Sequence, residues 1–207
     1  MSTAFDHVCA RCRLAGEKLF LKGEKCFTPK CPMVRRPYRP GIHGQKRRTV
    51  TEYGKQLREK QALRAMYGIR ERQLRGYFSE ARSQPGITAE VLVSDLESRL
   101  DNVVFRLGFG ASRPHARQLV HHGLVTVNGR RVDLPSYDVN PGDLIGIKES
   151  KRSKPVFTSL AERVRSQPLP SWLERVDTWS GKIIGEPRLE PHEVPVDLRA
   201  IVEFYSR

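Results

Sequence analysis

The spacing of apolar and polar positions changes along the chain, and each change marks an element. Between residues 49 and 68, Tyr53, Leu57, Leu63 and Tyr67 fall on one helical face, while Lys55 and Arg58 point elsewhere. Thr49 and Glu52 form a capping-box start for this helix, and Gly68 closes it. A second helix is expected over 71–83, where Leu74 and Phe78 stand one turn apart; Pro85-Gly86 breaks it and Thr88 caps a third. Leu96, Leu100, Val103, Val104 and Leu107 then lie within an arc of about 100°, predicting one amphipathic helix that ends at Gly108. Ser112 caps a further short helix with Pro114 in its first turn and Gly123 at its end; Ala116, Leu119 and Val120 form the buried stripe.

At LVTVNGRRVDL the period drops to two. Alternating β-branched residues around Asn128-Gly129 predict a hairpin with a type I′ turn, pairing Val127 with Arg130, Thr126 with Arg131, and Val125 with Val132. VNPGDLIGI, 139–147, reads as a turn followed by a strand. Residues 155–165 read as helical, PLPSWLE marks a turn before mixed short strands, and Trp172 and Trp179 read as packing residues. The final DLRAIVEFYSR, with Ile201, Val202 and Tyr205 at helical spacing, is expected to dock on the first domain.

Composition narrows the class of partner. Lys and Arg total 37 against 23 Asp and Glu in 207 residues, a formal charge of +14, which points to a polyanion. The excess is concentrated: residues 9–60 hold 15 basic and 4 acidic side chains, a net of +11. No apolar run approaches the roughly 18 residues needed to span a bilayer. No signal-peptide pattern opens the chain, so a soluble cytosolic protein with reduced thiols is expected. Walker, HExxH and GxSxG motifs are absent from the sequence.

All four cysteines fall early, as Cys9-x2-Cys12-x13-Cys26-x4-Cys31. Two close pairs joined by a spacer of this length suit a tetrahedral thiolate site, with each pair on a tight knuckle. With four protein ligands the site would be structural, one Zn²⁺ being expected; an iron–sulfur cluster accepts the same thiolates. Lys25, Lys30, Arg11 and Arg13 would favour thiolates. His7 and His43 are spare nitrogens nearby, read as surface or RNA-facing.

Three basic regions are candidates for RNA contact. Arg11, Arg13, Lys22 and Lys30 are threaded among the cysteines. The segment VRRPYRPGIHGQKRR, 34–48, is excluded from helix by its prolines and glycines; it offers Arg35, Arg36, Tyr38, Arg39, His43, Gln45, Lys46, Arg47 and Arg48 as an extended basic loop with stacking side chains. Lys55 and Arg58 continue that surface on the next helix. In the central module Arg113, Arg117 and His121 stack at i, i+4 and i+8, with Gln118 adjacent, and Asn128, Arg130 and Arg131 lie at the hairpin tip. Like charges at that spacing are mildly destabilising alone, and a facing phosphate backbone would offset the cost.

The order helix, helix, hairpin, strand with ARQLV…VTVNGRRV resembles the small RNA-binding domain of the S-four family of small-subunit ribosomal proteins. The cysteine knuckles, RRPYRPGIHGQ, LREKQALRAMYGI, ESRLDNVVFRLGF and IVEFYSR extend that resemblance over most of the chain, to the family's bacterial type with a zinc knuckle. The resemblance implies an α+β protein: a mostly helical first domain with an N-terminal four-cysteine metal knuckle, and an inserted module of two helices on a small antiparallel sheet. The expected divisions are 1–48 for knuckle and basic loop, 49–95 for the helical part of domain 1, 96–195 for domain 2 with the module at about 96–150, and 196–207 for a returning helix. It further implies direct binding to 16S rRNA early in small-subunit assembly, a neighbouring protein, S-five, bearing on decoding accuracy, and proximity to mRNA where it enters the subunit. Leu124 stands where many members have a second histidine, and RLEPHEVP at 188–195 matches weakly, so no site is assigned there.

Two other functional classes use the same module: pseudouridine synthases and free-standing RNA chaperones. SRLD at 98–101 is similar to the catalytic GRLD of the former. That motif needs its Asp on a loop in a cleft, whereas Asp101 is expected mid-helix, solvated and opposite the apolar arc.

Overall fold

The computed structural model describes residues 8–46, 49–187 and 196–206. The chain forms two compact units, one of residues 1–91 and 190–207 and the other of residues 92–189.

The first unit opens with α1 (Val8–Ala15) and, after a 3₁₀ turn at Gly23–Cys26, the short α2 (Pro32–Arg35). Val8, Cys12, Leu19 and Leu21 pack with Ala62 of α3 (Glu52–Tyr67), so the N-terminal segment has an apolar core of its own. The cap of α3 lies two residues later than expected: Thr51, in extended backbone, accepts a hydrogen bond from the Gly54 N–H at 3.2 Å. At the other end Gly68 is left-handed, with φ of 64°, a conformation glycine adopts without strain. α4 (Glu71–Ser83) spans the predicted residues and buries Leu74, Phe78 and Ala81. α5 (Thr88–Glu97) follows the Pro-Gly break, and its residues from Leu92 onward belong to the second unit.

The buried face of α3 differs from the apolar pattern. Tyr53 is exposed and Leu57 half-buried, while Gln56 and Lys60 are buried beside Leu63 and Tyr67. Polar groups can occupy that face because each has a partner. Lys60 Nζ bonds Glu71 at 2.8 Å and lies 4.2 Å from the Phe204 ring centroid, and Gln56 donates to Glu203 at 2.8 Å.

In the second unit, α6 (Leu100–Arg106) is a separate helix. The expected run from Leu96 to Leu107 breaks at Arg99, which is extended and forms a bridge with Asp138, while Leu100 N–H bonds the Tyr137 carbonyl at 2.8 Å. Ser112 caps α7 (Arg113–His121) by accepting from the His115 N–H, with Pro114 in the first turn. A Cβ on Gly110 would lie 2.8 Å from Ala116, so the loop can meet α7 this closely only at a glycine.

The hairpin forms in the predicted register: β1 (Val125–Val127) pairs with β2 (Arg130–Arg131) through Thr126 and Arg131 and through Val127 and Arg130. Asn128 and Gly129 both have positive φ, 51° and 77°, as a type I′ turn requires. β3 (Leu144–Ile147) pairs antiparallel with β1. Residues 155–165 divide into a 3₁₀ turn at Pro155–Phe157 and α8 (Leu160–Ser166). The strands expected to be mixed are antiparallel: β4 (Leu173–Arg175) and β5 (Ser180–Ile183) complete one sheet of order β2-β1-β3-β5-β4. Alternate residues Val125, Val127, Ile145 and Ile147 enter a core shared with Leu100, Val103, Val104 and Leu107 of the α6 region and Ala116, Leu119 and Val120 of α7. Truncating one such leucine to alanine would cost about 2–5 kcal/mol. Trp172 is buried in this core and Trp179 packs against it, as packing residues.

The chain returns to the first unit as α9 (Leu198–Ser206), which lies on α3 with Ile201 fully buried. Tyr205 donates from its hydroxyl to Glu71 at 3.0 Å and stacks on Phe78, with ring centroids 4.7 Å apart.

Candidate nucleic-acid interface

α1 carries Cys9 and Cys12, the 3₁₀ turn ends on Cys26, and Cys31 stands at the N-cap of α2. All four thiols are free, and Cys12, Cys26 and Cys31 are buried. Burial pushes the Cys12 and Cys26 thiols up, and the neighbouring cysteines add to the rise. The thiols are thus electrostatic neighbours, and a four-thiolate set is chemically apt for zinc. Among the described residues, however, no three His, Cys, Asp or Glu side chains converge as metal ligands do. The expected metal knuckle is thus not shown among the described residues, and apolar packing around Cys12 organises the segment.

Cations surround this knuckle. Arg13, Lys25, Lys30, Arg35 and Arg36 line a groove of about 420 Å³ beside Cys9. Arg13 is also a strut, its Nε donating to the Tyr38 carbonyl at 2.7 Å and its Nη2 to the Arg39 carbonyl at 3.2 Å, which ties the basic loop to α1. A second groove, about 920 Å³, is walled by Arg11, Arg39, Arg58, Arg64 and Arg70 over Leu14, Ala15, Leu57, Ala65 and Ile69. Arg64, Arg70 and Lys25 were not singled out by sequence as RNA contacts; their positions in the chain give no hint that they face the same space as Arg11 or Arg35.

The remaining candidates in this unit are exposed but not gathered. Lys22, His43, Gln45 and Lys46 lie toward solvent, and Lys55 pairs with Glu52 at 3.0 Å on the surface. His7, Arg47 and Arg48, with residues 188–195, lie outside the described residues.

In the second unit the basic stripe on α7 divides in two. Arg113 is not a solvated cation: its Nε donates to Asn102 at 2.8 Å, its Nη2 lies 3.5 Å from Glu97, and its guanidinium covers the Phe105 ring. Glu97, fully buried, also accepts from Arg106 Nε at 2.8 Å. Arg117 is 39% exposed and leans on Asp101 at 3.0 Å, whereas Gln118 and His121 face solvent.

Asp101 contradicts the solvated position expected for it. It sits in the first turn of α6, 6% exposed, with its Oδ1 and Oδ2 accepting from Arg99 at 3.1 and 2.8 Å. A carboxylate so occupied by guanidinium donors is built for structure.

At the hairpin, Asn128 pins the tip to β3, donating to Asp143 at 2.8 Å and accepting from the Leu144 N–H at 2.9 Å. Arg130 is exposed, and Arg131 pairs loosely with Asp133 at 3.4 Å. A Cβ built on Gly123 would strike the Arg131 guanidinium, so that arginine packs against the turn ending α7.

Both units therefore present clustered guanidinium and ammonium groups around open grooves or along exposed helix and hairpin edges, the arrangement of a polyanion-binding protein. Comparison with known proteins identifies which. Residues 4–97 match the family model of the ribosomal protein S4/S9 N-terminal domain, and residues 98–145 match that of the S4 domain. The chain is 52% identical over 201 residues to the small ribosomal subunit protein uS4 of Pelotomaculum thermopropionicum, covering 97% of each chain. It is 52% identical over 202 residues to uS4 of Thermus thermophilus, covering 97% of each. With uS4 of Caldicellulosiruptor saccharolyticus the identity is 49% over 208 residues, the full length of both. The chain belongs to the uS4 family of small ribosomal subunit proteins.

Proposed function

We propose that this chain is a structural protein of the small ribosomal subunit that binds 16S rRNA directly, through the cationic grooves of its first unit and the α7–hairpin face of its second. The observation that carries the reading is the near-full-length identity of about half the residues to proteins named for that subunit. The cationic surfaces support it physically, because phosphate neutralisation with counterion release supplies most of the affinity for RNA. Early binding during assembly of the subunit body belongs to the same reading. Contacts with the S-five protein and with mRNA at its point of entrance belong to the same reading, as does a bearing on translational accuracy.

A structural Zn²⁺ on Cys9, Cys12, Cys26 and Cys31 is part of the proposal, supported by the ligand spacing and the electrostatic coupling of the thiols. Purified protein with one zinc per chain, and thiols that resist alkylation until a chelator is added, is the expected result; rapid alkylation without chelator would refute it.

The test of RNA binding is a salt titration of the full chain against a 5′ fragment of 16S rRNA and against arbitrary duplex RNA of equal length. Tighter, magnesium-dependent binding to the rRNA is expected, with affinity falling steeply as salt rises. Equal affinity for both RNAs would overturn the reading.

A further inference from the structure

An aromatic pair on the knuckle has no part in the surfaces above. Phe20 and Phe27 stack with ring centroids 5.1 Å apart and planes inclined by 27°. The core does not use them: Phe27 is 75% exposed and Phe20 38%. Phe20 is also one of two non-glycine residues with positive φ among those described, at 51°. For a bulky side chain that conformation is strained, and it persists only where the surroundings enforce it. Here Leu19 and Leu21, both buried, anchor the backbone on either side and turn Phe20 outward against Phe27.

The pair is set among cations. Lys18 donates to the Cys26 carbonyl at 3.4 Å, immediately before Phe27. Lys25 and Lys30 bracket Phe27 in sequence, and both line the groove that also holds Arg13, Arg35 and Arg36. A flat, water-exposed ring flanked in sequence by two lysines of that cationic groove matches an RNA nucleotide: its base has a π face, its backbone a negative charge.

We propose that Phe27, backed by Phe20, is a stacking platform for an unpaired base of the bound RNA, whose phosphates lie in the Lys25–Lys30–Arg35–Arg36 groove. This rests on the RNA-binding reading and adds a site to it. Stacking holds a base without reading its edge, so the platform selects an unpaired nucleotide over a duplex rather than a particular base.

The test uses the full chain and the 16S rRNA fragment. Phe27→Ala should lower affinity roughly tenfold, the usual scale for one stacked base, without changing the slope of log affinity against log salt, since no phosphate contact is lost. Phe27→Tyr should restore affinity. Base-specific chemical probing should find an unpaired base protected by wild type and by Phe27→Tyr but reactive with Phe27→Ala. Hydrogen exchange over residues 8–46 should be the same in all three.

Wild-type affinity and footprint for Phe27→Ala would overturn the platform and leave the ring face to a protein neighbour. An affinity loss accompanied by faster exchange in the knuckle would overturn it too, by making the ring a folding element. The double change Arg35→Ala and Arg36→Ala separates this from the parent reading. If it reduces the salt slope while Phe27→Ala is silent, only the platform fails; if both are silent, RNA binding by this face fails.

Discussion

Asp101→Asn isolates the energetic weight of the buried network in the second unit. The substitution keeps the shape of the side chain and removes its charge. Asp101 is 6% exposed and faces Arg99, 1% exposed, through two hydrogen bonds of 3.1 and 2.8 Å. Replacing the carboxylate by an amide removes the charge that meets the buried guanidinium, and breaking a buried pair costs about 3–5 kcal/mol. The bond from Arg117 adds little, because that guanidinium is 39% exposed and screened by water. A total near 3 kcal/mol corresponds to a fall of roughly 10–20 °C in the melting temperature of a unit this size.

Since the chain has two compact units, a single melting curve is not two-state, and hydrogen exchange must localise the change to residues 92–189. Asp133→Asn is the control: its partner Arg131 and its own side chain are 57% and 59% exposed, and it should cost under about 1 kcal/mol. Equal, small effects for the two substitutions would refute the claim that burial makes the Asp101 pair important.

The two arginines of α7 should separate in the same assays. Arg113→Ala should destabilise the second unit by removing a partner of buried Glu97, while Arg117→Ala should leave stability nearly intact and flatten the salt dependence of rRNA binding by about one counterion; the reverse pattern would contradict the geometry. Burial, reinforced by Arg163, lowers the His115 pKa, and its Nδ1 accepts from the Ala111 N–H at 3.1 Å. The folded state thus binds fewer protons than the unfolded one, so this stabilisation is complete above pH about 6.5 and is lost as pH falls through the folded pKa; thermal melts of wild type and His115→Gln should diverge least at low pH, and parallel profiles would count against it. For Glu71, burial alone would raise the carboxyl pKa, but hydrogen bonds from Lys60 and Tyr205 outweigh it and hold the pKa low. Tyr205→Phe should cost about 1–2 kcal/mol and speed amide exchange in α9; unchanged exchange there would show that the ring stack alone holds the helix.

These perturbations fall where the sequence pattern ran out. Asn128-Gly129 could be read in advance because a two-residue turn with both φ values positive fixes strand register locally. α4 and α7 were legible for a similar reason: Pro-Gly, Ser112, Pro114 and Gly123 mark ends that depend on nearby backbone alone. The face of α3 was not, because apolar spacing gives no weight to a buried lysine. What makes Lys60 tolerable is Glu71 on the next helix and the rings of Phe204 and Tyr205 at the far end of the chain. The break at Arg99 likewise depends on Tyr137 and Asp138, which supply backbone partners that no local signal announces.

The same reasoning governs how charge should be counted toward function. Positive residues at helical spacing are equivalent in a sequence, yet their capacity to meet a phosphate depends on what they already hold. Arg113 is committed to Glu97, Asn102 and Phe105, and Arg13 to two backbone carbonyls; both shape the surface. Arg117 and Arg131 are themselves more than a third exposed, so a phosphate can compete with their carboxylate contacts at little cost. Formal charge therefore overstates the number of RNA contacts. It also hides the role of buried Glu97 and Asp101, which hold the helix that carries Arg117.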